Sequence, residues 1–245
     1  PPEPPTDVQP EPLPIDVIYE DEFAAVLNKP AGIAVHPTLN HTSGTLANGW
    51  LYRLKCRGED GVFRPVNRID KNTSGLVLCA QNAFAAPELA KTAQKCYLAL
   101  VEGPLPVGSG CIDVPIARRG DSIIGRCVRE DGKPSVTEYT VLAASTSHAL
   151  VSCFPVTGRT HQIRVHFSWL GHPLAGDSLY GGHTDIIARH ALHCAVLRFN
   201  RPADHEPRRV QSPLPEDFLA ACCAAYLPDK EEIQTMLQSV LPCAE

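Results

Sequence analysis

Arg68-Ile69-Asp70-Lys71-Asn72-Thr73-Ser74-Gly75 is a mostly polar octet that runs straight into the apolar stretch Leu76-Val77-Leu78-Cys79-Ala80. Polar loops at the ends of buried strands are where rigid scaffolds present reactive groups. Asp70 lies close in sequence to Arg68 and Lys71, a cationic neighbourhood that holds a carboxylate ionised. An ionised, positioned carboxylate can act as a nucleophile at a sugar C1′, as in covalent glycosyl transfer. A loop aspartate satisfied by turn hydrogen bonds fits the same spacing. A second polar cluster, Gly158-Arg159-Thr160-His161-Gln162-Ile163-Arg164-Val165-His166, opens a helix. Exposed first-turn amides with two arginines suit a phosphate or a carboxylate.

Other chemistries fail on spacing. Gly132-Lys133 follows Gly125 too far along the chain for a phosphate-binding Walker loop, and Pro134 stands where that loop needs a hydroxyl. His183, His190, His193 and Cys194 match no zinc-ligand spacing and read as ordinary histidines beside a core cysteine. No Gly-x-Ser-x-Gly elbow exists, which disfavours a serine hydrolase.

The elements that must position these residues follow from periodicity. Ile15–Tyr19 and Ala24–Asn28 flank an acidic turn and predict a β-hairpin, stopped by Lys29-Pro30-Ala31-Gly32. Thr42 and Ser43 are candidate caps for a helix with Leu46, Trp50, Leu51 and Leu54 on one face. Residues 75–80 read as a central strand, 84–95 as a helix with Pro87 in its first turn, and 97–101 as the next strand. Two or three strands are expected between Cys111 and Ala144, with another at 149–155. Thr160 is expected to cap a helix bearing Ile163, Phe167 and Leu170 that ends at Gly171, and 231–241 reads as a last packing helix. Strands interrupted by helices without strict alternation indicate α+β, with a mixed, largely antiparallel sheet.

Composition bounds the setting. The 245 residues are 44% hydrophobic and 20% charged, enough to bury a substantial core and too apolar for a disordered chain. No run is long and apolar enough for a membrane span, and no signal peptide is visible. Scattered cysteines inside apolar runs read as buried hydrophobes in a reducing, cytoplasmic compartment rather than as a disulfide scaffold. The net charge of −5 hides acidic ends around a basic centre: residues 1–30 hold seven acids and one lysine, whereas 31–227 hold 20 bases and 16 acids. Bases gather at 53–71 and 118–133, as suits a polyanion partner.

Taken together, the segments resemble the RluA-type pseudouridine synthases. Arg68-Ile69-Asp70 with Thr73-Ser74-Gly75 resembles that family's catalytic-aspartate motif, and Lys95–Gly103 its tyrosine strand. Gly158–Arg164 is similar to its arginine motif, while Asn28–Gly32 and Gly171–Asp177 match flanking segments in the right order. One departure is Asn67, where the family often has histidine. The resemblance implies the pseudouridine synthase fold with a central catalytic cleft, and an RNA uridine isomerase that uses no cofactor and no metal. It implies that Asp70 attacks C1′ or takes a sugar proton, that Arg164 pairs with Asp70, and that Tyr97 stacks on the uracil. Arg68, Lys71, Arg159 and His161 become candidates for RNA contact, and Asp177 reads as a structural turn residue. Ribosomal RNA is the preferred partner, transfer RNA a second, and a monomer is expected.

The first 14 residues include seven prolines and read as a semi-rigid linker remnant, with residues 15–245 as the catalytic domain. The resemblance adds an expected RNA-binding domain upstream. Two other functions fit the residues: an RNA-binding module without activity, and a nucleoside or glycoside hydrolase using Asp70. The hydrolase needs a partner carboxylic acid that the proposed residues do not supply.

Overall fold

The computed structural model describes residues 7–38, 42–120 and 122–241. Along the chain come strands β1 (Asp16–Glu20) and β2 (Ala24–Lys29), helix α1 (Leu46–Arg57), strands β3 (Arg64–Pro65) and β4 (Ser74–Ala80), and helix α2 (Ala85–Thr92). Strands β5 (Gln94–Glu102), β6 (Gly108–Asp113), β7 (Ile116–Arg118), β8 (Arg126–Val128), β9 (Val136–Ala144) and β10 (His148–Pro155) lead to helix α3 (Gln162–Trp169). Strands β11 (Leu192–Asn200) and β12 (Pro207–Gln211) and helices α4 (Glu216–Ala224) and α5 (Lys230–Gln238) complete the set. The fold is α+β with largely antiparallel strand pairing, as the sequence indicates. No helix among the described residues is long and apolar enough to cross a membrane.

The chain divides into two compact units, one built from residues up to Gln94 with Val196–Pro213, the other from Lys95–Ala195 with Leu214–Val240. In the first unit, β2 pairs antiparallel with β1 on one side and β4 on the other, Lys29 lying opposite Gly75. Asp21 closes the β1–β2 turn by accepting from the amides of Phe23 and Ala24 at 2.8 Å each. All seven residues of β4 are buried, so this strand is sealed on both faces and fixes the loop that precedes it.

Helix α1 starts later than Thr42 and Ser43 suggest. Thr45 is its cap, because Asn48, three residues on, returns a hydrogen bond to the Thr45 amide at 3.0 Å and completes a capping box. The proline-rich segment has no helix or strand over residues 7–14, and part of it is tied to α1: Asn48 Nδ2 donates to Gln9 O at 2.8 Å. Residues 1–6 of that segment lie outside the described residues. Gly49 allows the approach, since a Cβ there would stand 2.9 Å from Ile15 Cγ2.

In the second unit β5, β10, β9 and β6 lie side by side, all antiparallel, while β7 and β8 form a separate ribbon. Four strands, rather than two or three, occupy residues 108–144; β7 and β8 have three residues each, too short to show a period. Helix α3 is led by His161, not Thr160: His161 adopts the left-handed conformation at φ 58° and offers no side-chain cap. Strands β11 and β12 and helix α4 go beyond the elements placed from sequence. No disulfide joins any of the described cysteines, and burial pushes the Cys222 thiol up to about 12.

Candidate active site

Asp70 sits half-buried in the first unit, on the loop entering β4. Three sets of hydrogen bonds hold that loop. Asn67 is 7% exposed and extends the ladder sideways: its Nδ2 donates to Leu76 O at 3.2 Å and its Oδ1 accepts from Leu78 N at 2.8 Å. The Asp70 carbonyl accepts from Thr73 N at 3.1 Å, closing the turn. Lys71 O accepts from Gly32 N at 2.9 Å and from Lys29 Nζ at 3.0 Å.

Lys29 is the feature the sequence reading missed. Its side chain is fully buried, and Nζ also donates to Pro30 O and Ile33 O, both at 2.8 Å. A buried ammonium survives only with such donors satisfied, so this residue ties the Pro30–Ile33 turn to the peptide that follows Asp70. The available signal was a lysine ending a strand that opens with four apolar residues. Arg68 and Lys71 carry exposed side chains on the same loop.

The second unit holds Tyr97 and Arg164. Tyr97 lies on β5 opposite Cys153 of β10 and is 7% exposed. Arg164 projects from α3, whose entry is fixed by Gln162. Gln162 Oε1 accepts from Thr157 Oγ1 at 2.8 Å and Arg159 N at 3.0 Å, while Nε2 donates to Val136 O at 2.9 Å. Arg164 is gripped by Asp177, the residue read from sequence as a turn aspartate. Nε donates to Oδ2 at 2.7 Å and Nη2 to Oδ1 at 2.8 Å.

Asp177 belongs to a tightly wound loop. Its carbonyl accepts from Tyr180 N and Gly182 N at 2.9 Å each. Gly176, at φ +77°, is required because a Cβ there would lie 2.0 Å from Arg189 O. Tyr180 of this loop, which the sequence reading did not single out, lies under the Arg164 guanidinium, 4.9 Å from ring centroid to Cζ. Its hydroxyl meets His161 Nδ1 at 2.7 Å and Arg126 N at 3.0 Å, and burial raises the phenol's pKa. His161 is therefore engaged inside the protein through Nδ1, and the exposed Arg159 donates from Nε to Pro134 O at 3.1 Å.

Several bases of the sequence clusters are occupied by acids. Arg53 and Arg57 both hold Glu20, at 2.9 and 2.6 Å, and the Arg57 hydrogen bond leads in drawing that carboxyl down to about 2. Arg129 pairs with Asp131, and His183 with Glu102 at 2.7 Å. Among the described residues, no three His, Cys, Asp or Glu side chains converge as a metal-ligand set.

Comparison with known proteins fits this arrangement. Residues 24–169 match the family described as RNA pseudouridylate synthase. The chain is 42% identical over 213 residues to the uncharacterized RNA pseudouridine synthase YjbO of Bacillus subtilis, covering 85% of this chain and 75% of that one. It is 39% identical over 235 residues to ribosomal large subunit pseudouridine synthase D of Xanthomonas campestris, covering 87% and 70%. The solved structure of human RNA pseudouridylate synthase domain containing 1 superposes with a TM-score of 0.70 at 28% identity, covering 99% of this chain and 100% of that one. A family match across most of the sheet and α3, with relatives near 40% identity, settles the assignment: the chain belongs to the RluA-type RNA pseudouridine synthases, enzymes that isomerise uridine to pseudouridine in RNA.

Proposed function

We propose that this enzyme acts on uridines of ribosomal RNA and that Asp70 opens the reaction. The isomerisation breaks the N1–C1′ bond, turns the uracil and joins C5 to C1′; the C5 proton is lost and N1 regains one, so nothing is oxidised or consumed. Asp70 starts it, by attack on C1′ or by removal of a sugar proton. Tyr97 stacks on the uracil, and Arg164 holds the Asp70 carboxylate anionic. Arg68, Lys71, Arg159 and His161 are the RNA-contacting set on this reading, with Arg68 placed to meet RNA as the base leaves its stack, a step worth a few kcal/mol. The enzyme works as a monomer in the cytoplasm on residues 15–245 as one catalytic domain.

The observation that carries the reading is the Asp70 loop. A carboxylate half-exposed at the head of a sealed strand, with its neighbouring peptide clamped by a buried lysine, is built for a fixed reactive position rather than for a mobile surface turn. The ribosomal preference draws on the names of relatives such as the Xanthomonas enzyme.

Site-by-site pseudouridine mapping by chemical labelling tests it, because the two isomers have equal mass. Ribosomal RNA from cells carrying Asp70→Ala should lack at least one pseudouridine found with the wild type. Every site persisting, with the variant folded and expressed, would sink the assignment of Asp70.

A further inference from the structure

Glu102, the last residue of β5, aims its carboxylate at the far end of the loop that orients Arg164. Oε1 accepts from His183 N at 2.5 Å, and Oε2 meets His183 Nδ1 at 2.7 Å. The acid side chain is 16% exposed and the imidazole 79%, so a carboxylate built into the protein is covered by an outer ring. Because the main-chain amide is always a donor and takes one oxygen, the ring bonds the other through an Nδ1 hydrogen. Glu102 is itself fixed: its amide donates to Pro173 O and its carbonyl meets His172 Nδ1, both at 2.9 Å.

The same strand holds the near end of the loop. Ala175 N donates to Leu100 O at 2.9 Å, and Leu174 bridges to Val101. Between these attachments the loop closes on itself. Gly176 N donates to His183 O at 2.6 Å, and Gly182 N donates to Asp177 O at 2.9 Å. The limbs touch so closely that a Cβ on Gly182 would lie 2.0 Å from Leu174 O. Asp177 is therefore bonded through its own backbone to the residue beside His183, and any shift of His183 reaches the carboxylate that grips Arg164.

We propose, on the reading that gives Arg164 the task of holding Asp70, that Glu102 is a positioning residue for the isomerisation: with His183 it clasps the end of the 174–183 loop and so sets the direction in which Asp177 presents the guanidinium. The clasp is tightest with the ring charged. The Glu102 hydrogen bond and then its charge lift the His183 pKa above the usual imidazole value, with desolvation opposing them and Asp185 adding to them. His172, the other imidazole beside Glu102, is turned to the carbonyl rather than to the carboxylate.

Tritium release reads the reaction, since the C5 hydrogen is lost. The substrate is total RNA labelled with 5-tritiated uridine in cells whose enzyme carries Asp70→Ala. Glu102→Ala should lower kcat roughly tenfold to a hundredfold with KM unchanged, the scale on which a misplaced group is felt. His183→Ala removes an exposed ring and leaves the main-chain bond, so a loss of about twofold to fivefold is expected. Glu102→Gln carries the signature that a purely structural role lacks. Its oxygen can serve His183 N, but its NH₂ then faces the ring and finds an acceptor only when the imidazole is neutral. Its kcat relative to wild type should therefore rise roughly twofold to tenfold between about pH 6 and pH 8.5, with circular dichroism showing both proteins folded throughout. If Glu102→Ala does not fold, Glu102→Gln and His183→Ala decide, as neither strands His183 N. Arg164→Lys, which keeps the charge but not the fork, is the reference and should be slow. A Glu102→Gln ratio that is the same at both pH values, or wild-type kcat in the Glu102 and His183 variants while Arg164→Lys is slow, would overturn the clasp alone. Wild-type kcat in Arg164→Lys would instead overturn the reading of Arg164 and the clasp with it.

Discussion

Arg164 and Asp177 are joined side-on, through two parallel hydrogen bonds of 2.7 and 2.8 Å, with only 8% and 1% of their side chains exposed. Fork-on-fork pairing of this kind fixes the plane of the guanidinium as well as its charge. Asp177 is fixed in turn by a loop that only glycine at 176 permits. The arginine assigned to the chemistry thus has its orientation set by a loop 13 positions further along the chain.

Removing one member of a buried pair leaves the other as an uncompensated charge, which costs about 3–5 kcal/mol. Asp177→Ala should therefore lower the urea-unfolding free energy by about that amount. Where enough folded enzyme survives, kcat should fall with little change in KM, because Arg164 loses its orientation rather than the RNA its grip. Unchanged unfolding and unchanged kcat would show that the pair positions nothing.

Lys29 makes a second case. Lys29→Met keeps the length of the side chain but leaves the carbonyls of Pro30, Ile33 and Lys71 without this donor. Lys71 O keeps Gly32 N as a donor, but an acceptor left with none costs about 1–3 kcal/mol, and the loop of Asp70 loses its clamp. Stability and kcat should fall together in Lys29→Met. Lys71→Met, whose side chain is exposed, should leave stability within about 0.5 kcal/mol of wild type. A Lys29→Met protein as stable and as active as wild type would refute the clamp.

Much of this was legible in the sequence, and most of the failures share one cause. Asp70 could be found because polarity switches abruptly between Ser74 and Leu76, a local contrast. The β1–β2 hairpin, β4, β5, β10 and α5 were equally local, carried by short-range periodicity. What stayed hidden depends on partners remote in the chain. Lys29 looked like the end of a strand, since its acceptors include a carbonyl 42 positions away. Asp177 looked like a turn residue because Arg164 comes back to it only through the backbone path at Gly176. Arg53 and Arg57 looked like a phosphate-binding surface because nothing local pairs them with Glu20, more than 30 residues earlier. Thr45 lost to Thr42 and Ser43 as the expected cap although its partner Asn48 was only three residues away, a capping box with asparagine in place of the usual glutamate or glutamine.

Asn67, immediately before the Arg68-Ile69-Asp70 triplet, bonds both Leu76 O and Leu78 N. Asn67→Ala should strand both backbone groups and cost about 1–3 kcal/mol. Asn67→Asp keeps an acceptor for Leu78 N but sets a carboxylate against Leu76 O, so it should be at least as damaging near neutral pH and recover partly on acidification. Equilibrium unfolding of the two variants at two pH values measures this; indifference to both substitutions would mean the amide does not hold the loop.

Acid stability should carry the signature of Glu20. Its carboxyl falls from an ordinary 4.5 to about 2, chiefly through the Arg57 hydrogen bond and then that of Arg53, against an opposing desolvation. Because the folded value is depressed, the stabilisation is complete above the unfolded value and drains away as pH drops from about 5 towards 2. It amounts to at most ~3.5 kcal/mol, at about 1.4 kcal/mol per unit, and less where solvent screens the partly exposed arginines. Glu20→Gln should therefore be destabilised at pH 7 yet lose less on acidification, its unfolding free energy converging with wild type near pH 2. The stabilising effect is electrostatic, so added salt should narrow the gap at pH 7. Parallel acid limbs for the two proteins, with a constant offset from pH 7 down to 2, would show that the arginines do not hold Glu20 ionised and that the two cations are available elsewhere.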